Sequence, residues 1–260
     1  MKNQKIKRIL KKKGKSPITC LTSYTKPIAK IVDKYCDIIL VGDSVGTAFY
    51  GMKTTKKVNI KTMILHAKSV KDGANKSLVV VDMPFKTYTN KNNAYKNARK
   101  ILNSTKCDAV KLEGGKSIVN IVKYLVEKKI PVMGHIGLLP QSSKDFKRKG
   151  KNSFERKKLL EDATLLSEAG VFAMVIECVI KDLAKKITKT VSVPTIGIGA
   201  SKYCDGQVLV IDDMIGLSGF YPKFVKRYAD VAGIIKMSVK KYCSDVRKRK
   251  FPGLKNTYNK

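Results

Sequence analysis

Five side chains able to ligate a cation or move a proton stand at or just beyond the ends of short apolar runs. They are Asp43 after IILV, Asp82 closing LVVVD, Glu113 after AVKL, His135 after VMG and Glu177 closing AMVIE. A chain with only 20 Asp and Glu among 260 residues does not place acids so regularly by chance. Gathered carboxylates repel one another unless a cation sits among them. Hard oxygen donors with open positions favour Mg2+, which takes one or two protein carboxylates and keeps waters or substrate oxygens for the rest. Gly42 and Gly46 let the backbone turn sharply and bring Asp43 and Ser44 inward.

The runs that carry these residues read as strands at 18–21, 37–41, 78–82, 108–112, 131–134, 172–177, 194–198 and 208–211. Most are continuous apolar stretches, the mark of parallel strands covered on both faces. Helical spacing fills the intervals at 60–73 (with Asn59 as N-cap), 91–103, 116–129, 155–169 and 180–190, where Asp162 and Lys181 fall on polar faces. Eight alternations predict an α/β fold, a closed (β/α)8 TIM barrel, whose strand C-termini crowd one rim where active sites sit. The barrel is predicted as a single domain over 16–260 with a C-terminal amphipathic helix from about 230, preceded by a basic arm over 1–15. Segment 135–154 is polar, basic and Pro/Gly-punctuated, and reads as a mobile loop.

Composition narrows the function classes. The formal charge of +34 invites a nucleic-acid reading, but the basic residues are spread along the chain and only seven of 54 are Arg. Base and phosphate recognition favours the planar Arg fork, and no nucleic-acid motif is present. A solvated Lys surface is the plainer reading, and a field that steers small anions is the functional one. No apolar run reaches the roughly 18–20 residues of a membrane span, and no export signal follows the basic start. The six cysteines form no C-x-x-C pair, so reduced thiols and a cytoplasmic location are expected. Among weaker motifs, GGKS at 114–117 reads as a helix start and not a phosphate loop. GIGAS at 197–201 is either an anion cradle or a tight turn, and His66 is a packing or surface residue. His135 is as much a structural hydrogen-bonding residue as a catalytic one.

Seven blocks, in order, resemble the ketopantoate hydroxymethyltransferase family: LVGDSVG (40–46), VVVDMPF (79–85), AVKLEGG (109–115), VMGHIGLLPQS (132–142), VIECV (175–179), PTIGIGAS (194–201) and DGQVLV (205–210). The resemblance implies a Mg2+-dependent barrel that transfers a one-carbon unit from 5,10-methylenetetrahydrofolate to 3-methyl-2-oxobutanoate through a Mg2+-stabilised enolate, in pantothenate synthesis. It also implies a homo-oligomer, commonly a decamer. Asp43 and Asp82 would then bind the metal, with Glu113 supporting it directly or through water. Ser44 and Lys111 would hold the oxo-acid carboxylate, Glu177 would be the general base and His135 would tune the metal shell. The chain departs from the family over 142–156 (SSKDFKRKGKNSFER), which touches folate contacts or lid closure, and at Thr25 and Asp212. Two other readings stand beside this one. A lyase or mutase of the isocitrate lyase and phosphoenolpyruvate mutase type would use the same metal and rim, and a Lys-rich nucleic-acid binder would use the barrel only as a scaffold.

Overall fold

Runs such as IILV and LVVVD bury every side chain, because branched aliphatic residues pack on both faces of a covered sheet. In the computed structural model, which describes residues 2–143, 147–219 and 221–258, eight such runs close into a parallel barrel in the order β1 to β8. They are β1 (Ile18–Thr22), β2 (Ile38–Val41), β3 (Leu78–Asp82), β4 (Ala109–Glu113), β5 (Val132–Gly137), β6 (Ala173–Glu177), β7 (Thr195–Ile198) and β8 (Gly206–Leu209). The ring closes by pairing Ile18 with Gly206. A Cβ at Gly206 would lie 2.4 Å from the Ile18 carbonyl oxygen, so only glycine fits this seam.

Helices α1 (Lys2–Lys11), α2 (Lys26–Val32), α3 (Val45–Ala48), α4 (Ile60–Lys71), α5 (Lys91–Thr105), α6 (Val119–Glu127), α7 (Ser153–Glu168) and α8 (Lys181–Thr190) belong to the same compact unit, residues 1–210. Asn59 caps α4 as its sequence position predicts, its side chain accepting from Thr62 N at 3.0 Å. Two features differ from the sequence reading. The basic segment is helical over Lys2–Lys11, and Ile9 is fully buried against the inward residues Ile18, Ile38, Leu78 and Phe172 at the strand N-termini. The floor of the barrel is thus closed by α1. Asp162 is not on a polar face. It is buried and accepts from Lys116 N at 2.6 Å, and a Cβ on Gly115 would meet its carboxylate at 2.0 Å. The GGKS turn therefore wraps around an internal carboxylate.

The barrel's alternation decides what faces inward. Val80 and Asp82, Ala109 and Lys111, Met133 and His135, and Val175 and Glu177 are spaced two apart on their strands, and the first of each pair lies in the central apolar cluster. With period-two geometry the second points the same way, one layer higher. An apolar interior thus gives way to a polar top layer in a single step along each strand.

Residues 211–260 form a second compact unit. It contains α9 (Ile211–Met214) and α10 (Val231–Arg247), the latter capped by Asp230, whose carboxylate accepts from Gly233 N at 3.1 Å. No residue of α10 is buried. Among the described residues, no helix is long and apolar enough to cross a membrane, and all six cysteines are free.

Candidate active site at the barrel mouth

The top layer brings the sequence-selected residues together. Strand register sets Asp82 beside Lys111 and Glu113 beside His135. Lys111 Nζ lies 3.3 Å from Asp82 Oδ1 and 3.2 Å from His135 Nδ1. Glu113 Oε1 approaches His135 Nδ1 at 3.5 Å, and Glu177 Oε2 approaches His135 Nε2 at 3.2 Å, though without hydrogen-bond alignment. Asp43 stands just beyond β2, and its backbone N–H donates to Asp82 Oδ2 at 3.1 Å. The Ser44 hydroxyl pairs with the Tyr24 hydroxyl at 2.8 Å. Asp43, Asp82, Lys111, Glu113 and His135 are all buried, whereas Glu177 remains partly open at the mouth.

Burying so many charges shifts their protonation. Burial first, and then the Asp82 and Glu113 charges, push the Asp43 carboxyl up to about 7. Asp82 is also raised by burial, although Lys111 and the Asp43 N–H pull it back. Glu113 goes the other way. Burial opposes its charge, but His135, Lys111 and the Gln141 N–H hold it below the usual carboxylate range. Lys111 is raised, because Asp82, Glu113 and Asp43 outweigh the burial that disfavours its charge. His135 feels burial and Lys111 downward, yet its two glutamates raise it to about 9.

The residues present fit a divalent cation. Asp82 Oδ1 is buried with no hydrogen-bond partner among the described residues, only the Lys111 ammonium at 3.3 Å, and the Asp43 carboxyl beside it is pushed up by burial and by the Asp82 and Glu113 charges. No three His, Cys, Asp or Glu side chains among the described residues converge to enclose an ion. The available donors are therefore a carboxylate pair, the habit of Mg2+ with waters or substrate oxygens completing its shell.

Three side chains absent from the sequence reading belong to the site. Gln141 is buried, its Nε2 donating to Asp43 Oδ2 at 2.8 Å and to Met83 O at 3.0 Å, while its backbone N–H donates to Glu113 Oε2 at 3.1 Å. The Tyr88 hydroxyl donates to Gln141 Oε1, and Tyr24 supports Ser44. The only sequence signal for Gln141 is its block, VMGHIGLLPQS. His66 is structural: Nδ1 donates to the Tyr24 carbonyl at 2.7 Å, so Nε2 accepts from the Tyr50 hydroxyl at 2.8 Å. In GIGAS, Gly199 takes a left-handed turn and the Ser201 carbonyl accepts from Gln207 Nε2 at 2.8 Å. Of the divergent segment 142–156, residues 144–146 lie outside the described residues.

The sequence matches a known family. A sequence profile described as "Ketopantoate hydroxymethyltransferase" matches residues 3–254. The chain belongs to the ketopantoate hydroxymethyltransferase family. Among relatives named 3-methyl-2-oxobutanoate hydroxymethyltransferase, one from Pelagibacter ubique is 55% identical over 98% of this chain and 100% of its own length. Another, from Anaplasma marginale, is 51% identical over 95% of this chain and 91% of its own. Solved structures share the fold at low identity. A phosphonopyruvate hydrolase in complex with oxalate and Mg++ aligns at a TM-score of 0.63 and 12% identity, covering 98% of this chain and 93% of that one. A 2,3-dimethylmalate lyase, described as a PEP mutase/isocitrate lyase superfamily member, aligns at 0.63 and 12% identity, covering 98% and 90%. These neighbours make the family's barrel one variant of a wider architecture.

Proposed function

We propose that the protein is a 3-methyl-2-oxobutanoate hydroxymethyltransferase. It would take a one-carbon unit from 5,10-methylenetetrahydrofolate and, with one water, yield 2-dehydropantoate and tetrahydrofolate. The observation that carries the reading is the single polar layer in which Asp43, Asp82, Lys111, Glu113, His135 and Glu177 meet above an apolar barrel. Asp43 and Asp82 would hold Mg2+, and Glu113 supports them through the Gln141 backbone and His135. When bound, the ion supplies Lewis acidity to the ketone and carboxylate oxygens of a 2-oxo acid, which acidifies the adjacent C–H.

The remaining work falls to the chain. Lys111, kept charged by its neighbours, and Ser44, fixed by Tyr24, hold the acid's carboxylate. Glu177 is the carboxylate at the open side of the layer, free of the Asp43–Asp82 pair, and takes the proton from carbon 3. His135, with Nε2 3.2 Å from Glu177 Oε2, stands beside this base as a partner of opposite charge when protonated. The electron pair left on carbon 3 then forms the new C–C bond to the folate methylene carbon as one of that carbon's two bonds to nitrogen breaks, and water replaces the second nitrogen, which leaves the hydroxymethyl group on the acid and tetrahydrofolate with both nitrogens protonated.

Two variants test these roles. Asp82→Asn abolishes Mg2+-dependent exchange of the carbon-3 hydrogen of 3-methyl-2-oxobutanoate, even without folate. Glu177→Gln binds Mg2+ and oxo acid normally but turns over at least about 100-fold slower, the scale of a lost general base. Exchange at the wild-type rate in Asp82→Asn would end the metal assignment. Product analysis with protein, Mg2+, oxo acid and methylenetetrahydrofolate separates this activity from C–C lyase chemistry, which leaves the folate unchanged.

A further inference from the structure

Gln141 holds one oxygen of Asp43, and both polar atoms of its side chain are engaged. The Met83 carbonyl can only accept, so the side-chain nitrogen must face it, and the same NH2 group reaches Asp43 Oδ2. The amide oxygen then faces the Tyr88 hydroxyl, which must donate. The Met83 carbonyl therefore sets the amide in the one orientation that gives Asp43 a hydrogen-bond donor, and the Tyr88 hydroxyl holds it there by donating to its oxygen. On the neighbouring strand Asp82 is treated alike: Oδ2 accepts from the Asp43 N–H, and Oδ1 is the buried atom with no hydrogen-bond partner among the described residues. Each carboxylate thus has one oxygen held by a hydrogen-bond donor of the protein, and the second oxygen of Asp82 has only the Lys111 ammonium near it, at 3.3 Å.

We infer that Gln141, oriented by Tyr88, is a positioning residue that restricts Asp43 to one-oxygen ligation and so makes the site discriminate Mg2+ from Ca2+. Ca2+ takes six to eight oxygens and favours two-oxygen contacts with carboxylates, whereas Mg2+ demands a compact octahedron and keeps its waters. A carboxylate pinned at one oxygen serves the second ion and short-changes the first. The inference rests on the assignment of the cation to Asp43 and Asp82. It adds a residue from the loop after β5, 98 positions from Asp43 in the chain, to the selection of the ion.

The test uses the full chain stripped of metal with a chelator. Binding of Mg2+ alone and of Ca2+ alone is measured by calorimetry, with circular dichroism melts as a folding check. Gln141→Leu weakens Mg2+ binding by about 10- to 100-fold, the usual cost of losing an outer-shell partner. It weakens Ca2+ binding less, so the Mg2+/Ca2+ preference falls. Tyr88→Phe, which removes one oxygen and keeps the ring, shifts the preference the same way by a smaller factor. A purely structural role for Gln141 would lower the melting temperature and leave the ratio of the two affinities unchanged, and that result overturns the inference. If Gln141→Leu does not fold, a wild-type ratio in Tyr88→Phe overturns it instead. Asp82→Asn separates the two levels. Loss of Mg2+ binding there, with an unaltered ratio in the Gln141 and Tyr88 variants, rejects only the role of Gln141. Wild-type Mg2+ binding in Asp82→Asn rejects the metal site itself.

Discussion

The two ends of the barrel use the same residue type in opposite ways. At the floor, Asp33, Asp37, Asp108 and Asp205 lie close to strand starts and accept from backbone N–H groups. Asp33 accepts from the backbone of Asn75, Lys76 and Ser77. Asp37 accepts from Thr19 N and pairs with Lys12, and Asp108 accepts from Val79 N with Lys5 and Lys71 nearby. Asp205 takes Thr195 N, Gly14 N and Lys13. For Asp33, Asp37 and Asp205, burial opposes the charge but these donors hold the carboxyl below its usual range. At the mouth, Asp43 and Asp82 are raised. Floor acids stabilise the fold, while mouth acids are held at a cost that a cation would relieve.

The contrast makes ranked predictions. The largest is at the mouth. Asp82→Asn lowers turnover by at least about 1,000-fold, the order seen when charge stabilisation in a transition state is lost. Its metal-free melting temperature does not fall, because one repelling charge is gone. At the floor, Asp205→Ala reverses the pattern. Denaturant unfolding shows a loss of about 3 kcal/mol, as when a buried charge pair is broken, while turnover per folded molecule is unchanged. Ile9→Ala follows at about 2–3 kcal/mol, from the cavity left where α1 meets the interior. A variant unfolding like wild type would show that α1 contributes no packing to the floor.

The last prediction concerns the pH dependence of stability, where the two rims carry opposite signs. Asp205 has a depressed folded-state value, so its contribution is present above the unfolded carboxylate range and is lost as pH falls through the folded value. Asp43 is raised from 3.8 to about 7, so the folded state holds a proton that the unfolded state has released. Metal-free stability therefore drops as pH climbs through that window, and saturating Mg2+ cancels the drop. Melting curves of Asp43→Asn against pH should lack that slope. An unchanged slope would place the strain on another group.

How much of this was legible in the sequence follows from what each residue depends on. Asp82, Glu113, His135 and Glu177 were visible because a strand's period and the shared direction of parallel strands fix where its last residues go. Gln141 and Tyr88 were not, since each lies on a loop whose path is set by what it packs against. The helix α1 was hidden by its lysines: only Ile6, Ile9 and Leu10 mark an apolar stripe in a segment otherwise read by charge. Asp162 misled for a related reason. An acid in a helix normally points to solvent, and nothing local shows that the backbone of Lys116, 46 positions away in the chain, will claim it.

Closing the floor with Ile9 turns the barrel into a blind-ended well. On the proposed chemistry, a small acid seated against Lys111 lies beneath the place where a bulky folate must approach. Traffic is then last in, first out: the acid enters before the folate, and tetrahydrofolate departs before the extended acid can leave. Steady-state product inhibition reads this directly. If 2-dehydropantoate competes with 3-methyl-2-oxobutanoate alone, the queue holds, whereas random-order patterns would mean a second way out.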